Sequence, residues 1–341
     1  MSQSSTPRKT TVVIQTKRGI GDVIWHLPFI RSIAAVSPGG RVTFLAVPST
    51  HADLLLRAEP CVAQTLYFEN RGSELSRGLH LIRLTALLRR LRCDTVWILD
   101  RTTRAAFAAL AAGIPNRIGV GLGPQRWFIT NEGIHRRHFH DMPIEWLEAL
   151  MRAMQVPCPG TEPNLRIAPE VVASVGERYG AYPRPWLVLG LGGSHPVKDW
   201  PSPHWLEFIG ELRQRTEGTV FLIGGRAQGP RAGELIARTA GAAAANVCDL
   251  AVDEAAALLR HADVFIGPDS GPMNLAAAVG TPAFGLFGAT TVLSYSRFIH
   301  AVVPDDGRRA PDGMQRISPR RVLERVEPYL SVPSAGITRR P

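Results

Sequence analysis

The fold is decided by residues 263–290, DVFIGPDSGPMNLAAAVGTPAFGLFGAT. An apolar run, Asp263–Ile266, predicts a buried parallel strand, and the small polar turn 267–271 leads directly into a small-residue helix. In an open α/β sheet, ligands bind at the carboxyl ends of the strands, and a helix N-terminus there favours a phosphate. The stretch therefore predicts a ligand site, with simple helix capping by Asp269 or Ser270 as the alternative explanation of those two residues.

Strand–helix alternation extends from this stretch along the chain. The apolar runs that predict strands lie at 11–15, 41–47, 64–68, 95–99, 117–120, 186–191, 220–223, near 247, 263–266 and 283–287. Helical patterns separate most of them, and such repeated βα winding predicts parallel sheets covered by helices on both faces. Because 341 residues exceed the size at which a single core keeps growing, two domains are expected.

A stretch rich in Pro and polar residues at 156–170 separates two series of elements and is typical of an interdomain linker. The predicted organisation is a Rossmann-like domain at 1–160, a linker at 161–170, a second Rossmann-like domain at 171–317, and a C-terminal helix and tail at 318–341. For the last helix, packing back on the N-terminal domain is one option.

A glycine loop follows the first predicted strand. Residues 16–22, TKRGIGD, contain Gly19 and Gly21, which let the backbone turn and clear space at the sheet edge. The third glycine of a dinucleotide fingerprint is absent, since Ile24 stands in its place, so no nicotinamide site is predicted. Asp22 falls at the start of the next helix, where capping and a chemical role both explain a carboxylate.

A second glycine loop, LGLGGSHPVKDWPSPHW at 189–205, follows another apolar strand. Its glycines leave room for ligand oxygens, Ser194 offers a hydroxyl, and Lys198 places a cation where a phosphate could lie. The chain has only three lysines among 39 basic residues, and two of them, Lys17 and Lys198, lie in the two glycine loops. This distribution favours phosphate binding by Lys198, with an ordinary surface lysine as the alternative.

The composition predicts a globular protein whose first half is basic. Hydrophobic residues make up 45% of the chain, and the net charge is +10. Residues 1–165 carry 20 Lys and Arg against 12 Asp and Glu, whereas residues 166–341 carry 19 against 17. A basic first half suits an anionic surface or partner. Because no RNA-binding motif, helix-turn-helix or zinc finger accompanies it, a nucleic-acid partner is not predicted.

No leader, membrane span or metal site is predicted. The first 15 residues lack an apolar signal region, and no apolar run approaches the roughly 18–20 residues that cross a bilayer. The four cysteines show no CxxC spacing, so neither a zinc site nor a disulfide framework is indicated. We therefore expect a cytoplasmic protein with reduced thiols.

With these segments placed, the sequence resembles the ADP-heptose lipopolysaccharide heptosyltransferase family, glycosyltransferase family 9. The resemblance rests on KRGIGDVIWHLPFIRSI (17–33), GLGGSHPVKDWPSPHWLEFIGEL (190–212) and IGPDSGPMNLAAAVGTPAFGLFGAT (266–290), with a weaker block at 94–121. It implies an α/β fold in the GT-B arrangement, in which two Rossmann-like parallel-sheet domains face a cleft. It also implies that the enzyme transfers a sugar, heptose from ADP-heptose, to a lipopolysaccharide core or related cell-surface glycan. The transfer would invert the anomeric configuration and would need neither a metal nor a cofactor.

The resemblance also implies roles for individual residues. Asp22, after the glycine loop of Gly19 and Gly21, matches the family's catalytic base. The donor-binding set comprises Ser194, Lys198, Asp269, Ser270 and Gly271, together with Asn274 and Glu234. One carboxylate would take the proton of the acceptor hydroxyl, while cations and helix N-termini hold the charge that builds on the leaving diphosphate.

The basic first half of the chain suggests where an anionic acceptor and the membrane would be contacted. An anionic, lipid-linked glycan would meet Arg104, Arg126, Arg136 and Arg137, the last three in a basic loop with interleaved aromatic residues at 122–141. The enzyme would then act peripherally at the inner face of the inner membrane. Solubilising surface arginines are the alternative explanation of these four residues.

Two departures from the family pattern bear on the donor. Asn274 stands where the family commonly shows His, and the stretch after Gly224-Gly225 is longer than usual, so either Glu234 or Gln228 could meet the donor's nucleoside. Three other readings remain: a different nucleotide-sugar donor, a sugar-nucleotide 2-epimerase, and a non-catalytic nucleotide-sugar-binding relative. The blocks at 17–33 and 266–290 speak against the epimerase, and Asp22, Lys198 and Asp269 together speak against loss of activity.

Overall fold

The computed structural model describes residues 10–69, 74–193, 195–239 and 243–330. The chain splits into two compact units, Met1–Pro163 and Asn164–Pro341, and the division falls inside the predicted linker at 161–170. Each unit is a parallel-sheet α/β domain with its own hydrophobic core.

The first unit contains a five-stranded parallel sheet in the order β3-β2-β1-β4-β5. Its strands are β1 (Thr11–Ile14), β2 (Val42–Ala46), β3 (Val62–Tyr67), β4 (Thr95–Ile98) and β5 (Asn116–Gly119). Its helices are α1 (Ile20–Ala35), α2 (Ala52–Leu55), α3 (Glu74–Leu91), α4 (Thr103–Ala111) and α5 (Pro143–Ala153). Every residue of β1 is buried, as expected for a central strand covered on both faces.

The second unit repeats this winding in a six-stranded sheet of order β11-β10-β9-β6-β7-β8. Its strands are β6 (Trp186–Gly190), β7 (Thr219–Ile223), β8 (Ala244–Asn246), β9 (Val264–Pro268), β10 (Ala283–Leu286) and β11 (Ile299–Val302). Its helices are α6 (Pro169–Tyr179), α7 (Ser202–Arg213), α8 (Gly229–Arg238), α9 (Val252–His261), α10 (Gly271–Ala278) and α11 (Pro319–Val326). In both units the first strand neighbours the fourth, so the point where the strand order reverses lies between them.

The last helix packs within the second unit. The buried residues Val322, Leu323 and Val326 of α11 join the core cluster that contains Trp205 and Phe208 of α7. The buried face of α11 therefore serves the second unit's core, which differs from the option of packing on the N-terminal domain. No helix in the described ranges is both long and apolar enough to span a membrane.

Candidate active site

Two loops of the second unit meet where its strand order reverses. Strands β6 and β9 are hydrogen-bonded neighbours, so the loops that follow them emerge side by side. Lys198 comes from the first loop and Asp269 from the second, and the Lys198 Nζ lies 2.7 Å from Asp269 Oδ2 and 3.3 Å from the Asp269 carbonyl oxygen. The two side chains are only 20% and 14% exposed. The fold thus brings together two predicted site residues that are 71 positions apart.

The loop after β6 is shaped around Lys198. A Cβ on Gly193 would lie 2.9 Å from the Lys198 Cβ, so only glycine lets the lysine stem fold over this backbone. The Gly193 N–H donates to Asp199 Oδ1 at 3.1 Å. Arg231 of α8 holds both ends of the loop by donating hydrogen bonds to the Leu191 and Trp200 carbonyls at 2.8 and 2.5 Å. This bracing holds the lysine amine at the sheet edge.

The turn after β9 presents a helix N-terminus. Ser270 is the N-cap residue of α10 and Gly271 is its first residue. The Ser270 hydroxyl is buried and has no hydrogen-bond partner within the described part of the chain, so it does not cap its own helix. An unsatisfied buried hydroxyl beside free helix N–H groups and a lysine is what a site for phosphate oxygens requires.

Asn274 fixes this turn. It is buried in α10, and its side-chain nitrogen donates to the Ser270 carbonyl at 2.7 Å. The Tyr295 hydroxyl donates to the Asn274 Oδ1. Asn274 therefore links the turn after β9 to a following loop through a neutral amide.

The longer stretch after β7 places Gln228, not Glu234, beside the glycine loop. A Cβ on Gly192 would lie 2.6 Å from the Gln228 amide nitrogen. Glu234 points from α8 to solvent, with its side chain 65% exposed and an ion pair to Arg238 at 3.6 Å. Of the two candidates, Gln228 is the one that adjoins the Lys198 loop. Ser194 lies outside the described residues.

The first unit has a corresponding arrangement at its own reversal point, between β1 and β4. Asp100, two residues after the end of β4, accepts hydrogen bonds on Oδ2 from the Thr16 N–H at 2.6 Å and the Thr16 hydroxyl at 2.9 Å. Burial raises the pKa of Asp100, and the hydrogen bonds from Thr16 oppose that rise. The loop after β1 is thereby tied to its neighbouring strand, as the Lys198 loop is tied by Asp269.

Asp22 occupies the first turn of α1. Its Oδ2 accepts the Gly19 N–H at 2.9 Å, and the Asp22 N–H donates to the Gly19 carbonyl at 3.2 Å. Asp22 is thus part of the helix N-terminal cap, and its half-buried carboxylate is held at one defined position above the glycine loop. A carboxylate held in this way is suited to accept a proton.

A buried polar pair joins α1 to the end of β1, next to the glycine loop. His26 of α1 and Gln15 lie 2.6 Å apart, from Nδ1 to Oε1. Burial, with the nearby charge of Lys17, lowers the pKa of His26 to about 3, so the ring is neutral near pH 7. A neutral imidazole can donate to the Gln15 amide oxygen, which anchors α1 beneath Asp22 without adding charge.

The four arginines predicted for an acceptor do not form one cluster. Arg104 lines a cavity of about 160 Å³ at the carboxyl edge of the first sheet, together with Thr16, Arg77 and His80. Arg126 and Arg137 line a larger cavity, of about 640 Å³, whose other walls include Trp127, Phe139 and His140. The side chain of Arg136 is not among those described.

Sequence reasoning missed several supporting residues. Nothing in the pattern around Arg231 at the start of α8 singled this residue out, whereas Asp100 could have been found, because it follows an apolar strand, as Asp269 does. In the ranges that the structure describes, no three His, Cys, Asp or Glu side chains come together as a metal site. The absence of a metal remains a prediction.

Comparisons with known proteins bear directly on this arrangement. The family model described as glycosyltransferase family 9 (heptosyltransferase) matches residues 81–298. That range contains the blocks at 94–121, 190–212 and 266–290, and it leaves the block with Asp22 outside.

Relatives match over nearly the whole chain. The lipopolysaccharide heptosyltransferase 2 of Salmonella typhimurium is 27% identical over 92% of this chain and 96% of its own length. The lipopolysaccharide heptosyltransferase 3 of Escherichia coli is 24% identical over 92% of this chain and 91% of its own. The structure of E. coli ADP-heptose lps heptosyltransferase II superposes with a TM-score of 0.76 at 22% identity, covering 94% of this chain and 98% of that one.

The predicted fold class, two Rossmann-like parallel-sheet domains of the GT-B type, is confirmed. The family model covers well over half of the 341 residues and includes the Lys198 and Asp269 loops. The chain belongs to glycosyltransferase family 9, the heptosyltransferase family, and is a glycosyltransferase.

Proposed function

We propose that this enzyme transfers heptose from ADP-heptose to an anionic acceptor of the lipopolysaccharide core or a related cell-surface glycan, with inversion and without a metal. The observation that carries the proposal is the Lys198–Asp269 pair beside the buried Ser270 hydroxyl at the start of α10. Relatives named as lipopolysaccharide heptosyltransferases align over more than nine-tenths of the chain and support the substrate class.

On the donor side, the charge to be held is that of a leaving diphosphate. The Lys198 ammonium, the α10 N–H groups and the Ser270 hydroxyl supply positive charge and donors without a metal ion. When phosphate oxygens reach Lys198, they compete with Asp269 for its ammonium. The Asp269 carboxylate then becomes available to accept hydrogen bonds from sugar hydroxyls. Gln228, which lies beside Gly192, is the proposed contact for the nucleoside end of the donor.

On the acceptor side, the chemistry needs one base. In an inverting transfer, the acceptor oxygen attacks the anomeric carbon opposite the leaving ADP, and its proton passes to a carboxylate. Asp22 takes that proton, because the Gly19 N–H fixes the position of its carboxylate. The new glycosidic bond forms as the bond to the ADP oxygen breaks, and Lys198 balances the charge that appears on ADP.

Arg104, Arg126 and Arg137 are the proposed contacts for the acceptor's carboxylates or phosphates. They line two cavities in the first unit, and Trp127 and Phe139 in the larger one could stack on sugar rings. Since a lipid-linked acceptor stays in the bilayer, the enzyme would work peripherally at the cytoplasmic face of the inner membrane.

The test is product analysis by mass spectrometry and NMR. Purified protein is incubated with ADP-heptose or another ADP- or UDP-sugar, with and without truncated core acceptors, in the presence and absence of EDTA. We expect ADP release, one added heptose with inverted anomeric configuration, and no effect of EDTA. Epimerised donor without an acceptor would favour the epimerase alternative, and neither transfer nor donor hydrolysis would refute the heptose assignment.

A further inference from the structure

The exposed large hydrophobic side chains are concentrated in the first unit. In the described ranges they are Val36, Leu79, Ile82, Phe107, Leu110, Trp127, Phe139 and Met142, and none belongs to the second unit. Ile82 is 67% exposed and Trp127 is 75% exposed. Isolated exposed hydrophobic residues are ordinary, but a cluster on one domain marks an interaction surface.

Four of these residues lie on the outward faces of two helices that pack together. Helices α3 and α4 pack side by side over the same core cluster, to which Leu84 and Leu88 contribute from α3 and four alanines from α4. Their outward faces carry Leu79 and Ile82 on α3, and Phe107 and Leu110 on α4.

Two contacts join the parts of this surface. Arg89 Nη2 donates to the Ala111 carbonyl at 2.7 Å, which links the far ends of α3 and α4. Phe107 packs edge to face on Phe128 at 5.5 Å between ring centroids, next to Trp127. The basic apolar face, as we name it, consists of Leu79, Ile82, Phe107, Leu110 and Trp127, with Arg83, Arg89 and Arg90.

The charge on this face has one sign. Residues 74–131 contain nine arginines and three acidic residues, and the side chain of one of these, Glu74 at the start of α3, is not among those described. Asp100 is buried, and Asp94 lies in the turn between α3 and β4, outside both helices. Arg83, Arg89 and Arg90 are all exposed on α3. The outward side chains of α3 and α4 in the described residues therefore combine aliphatic and aromatic groups with positive charge alone.

We propose that the basic apolar face docks on an anionic phospholipid bilayer. Arginines attract anionic headgroups, while exposed Leu, Ile, Phe and Trp side chains insert at the boundary between headgroups and acyl chains, where Trp is favoured. A nucleic acid would satisfy the arginines but would leave the aliphatic residues exposed to water. The inference deepens the membrane association that the proposed function includes. Vesicle binding needs neither donor nor acceptor, so its outcome is separate from that of the transfer assay.

Cosedimentation with vesicles tests this surface. We expect the full chain to bind vesicles of phosphatidylcholine mixed with phosphatidylglycerol, to bind pure phosphatidylcholine at least about tenfold more weakly, and to lose binding as salt rises. The Ile82→Ser/Phe107→Ser variant and the Arg83→Glu/Arg90→Glu variant should each bind at least about tenfold more weakly than wild type.

Matched controls separate the face from general exposure and charge. Val36→Ser removes an apolar side chain, 54% exposed, elsewhere on the first unit, and Arg320→Glu reverses an exposed charge on the second unit. Both should bind as wild type does. Ile82→Ser alone, at a site with little packing to lose, should still weaken binding if the double variant unfolds.

Three results would overturn the proposal. The first is that wild type does not bind anionic vesicles, and the second is that the Ile82→Ser variant binds them as well as wild type does. The third is that wild type forms a dimer in solution and the Ile82→Ser substitution abolishes it, since the face would then join two copies of the chain.

Discussion

Replacing Asp22 by Asn and by Ala separates its proposed catalytic role from its structural one. The Asp22 Oδ2 accepts the Gly19 N–H at 2.9 Å, and an Asn side-chain oxygen can accept the same bond. Asn cannot take a proton from an acceptor hydroxyl, so we expect kcat to fall about 10²- to 10⁴-fold, equivalent to about 3–5 kcal/mol of barrier. Asp22→Ala should lose the same catalytic factor and, in addition, about 1 kcal/mol of cap stability. For a unit of 163 residues, that loss lowers Tm by about 2–4 °C.

Steady-state ADP release and thermal melting, run on both variants, give the two readouts. The Asn variant should melt within a degree or so of wild type and bind ADP normally, since neither readout needs the charge at the proposed proton acceptor. If the Asn variant keeps kcat close to wild type while the Ala variant loses both activity and stability, Asp22 only caps α1 and the proton goes elsewhere.

Three further changes probe the surroundings of the site. In Gly19→Ala, the new Cβ would lie 2.8 Å from the Asp22 Oδ2 and displace it, so kcat should fall up to about 10²-fold with little change in donor KM; unchanged kcat would show that the carboxylate position is not critical. Because the pKa of His26 falls from 6.5 to about 3 on folding, its contribution to stability is complete above pH 6.5 and falls by up to about 1.4 kcal/mol per pH unit as pH drops toward 3. Urea unfolding of His26→Gln should therefore show a shallower acid dependence than wild type, and equal slopes would contradict the neutral buried ring. Tyr295→Phe removes the hydrogen bond to Asn274, at about 1 kcal/mol, and should raise donor KM several-fold at nearly constant kcat, whereas a matching loss of kcat would mean that the bond acts in the chemical step.

The site could be predicted from the sequence where its chemistry is local. The strand, turn and helix around Asp269 are observed as β9 and α10, and Asp22 lies at the start of a helix as predicted, although α1 already begins at Ile20. These segments could be predicted because apolar runs, glycines and helix starts can be recognised from residues that are neighbours in the sequence.

Contacts that depend on the order of strands in a sheet could not be predicted from such local patterns. The Lys198–Asp269 pair exists because β6 and β9 are neighbours, and the Thr16–Asp100 bonds exist because β1 and β4 are. Sequence patterns locate each strand but do not state which strands adjoin. Topology rules for doubly wound sheets would have predicted both pairs, since ligands and the groups that hold them collect where the order reverses.

Short elements at sheet edges were the other limit. Strand β11, Ile299–Val302, was not predicted, because it is a half-buried edge strand of four residues without alternation. The helix between β2 and β3 is only one turn long, α2, Ala52–Leu55. Of the two residues left open for the donor's nucleoside, Glu234 lies on the solvent side of α8, whereas Gln228 at the helix start adjoins the glycine loop.

The central claim, that the Lys198 and Asp269 loops bind the donor diphosphate, is tested most directly by calorimetric titration of ADP into wild type, Lys198→Met and Asp22→Asn. Met keeps a stem that can pack over Gly193 but removes the ammonium, and a charged hydrogen bond contributes about 1.5–3 kcal/mol. The account predicts that Lys198→Met binds ADP about 10- to 150-fold more weakly, while Asp22→Asn binds it as wild type does. Equal ADP affinity in Lys198→Met and wild type would contradict it.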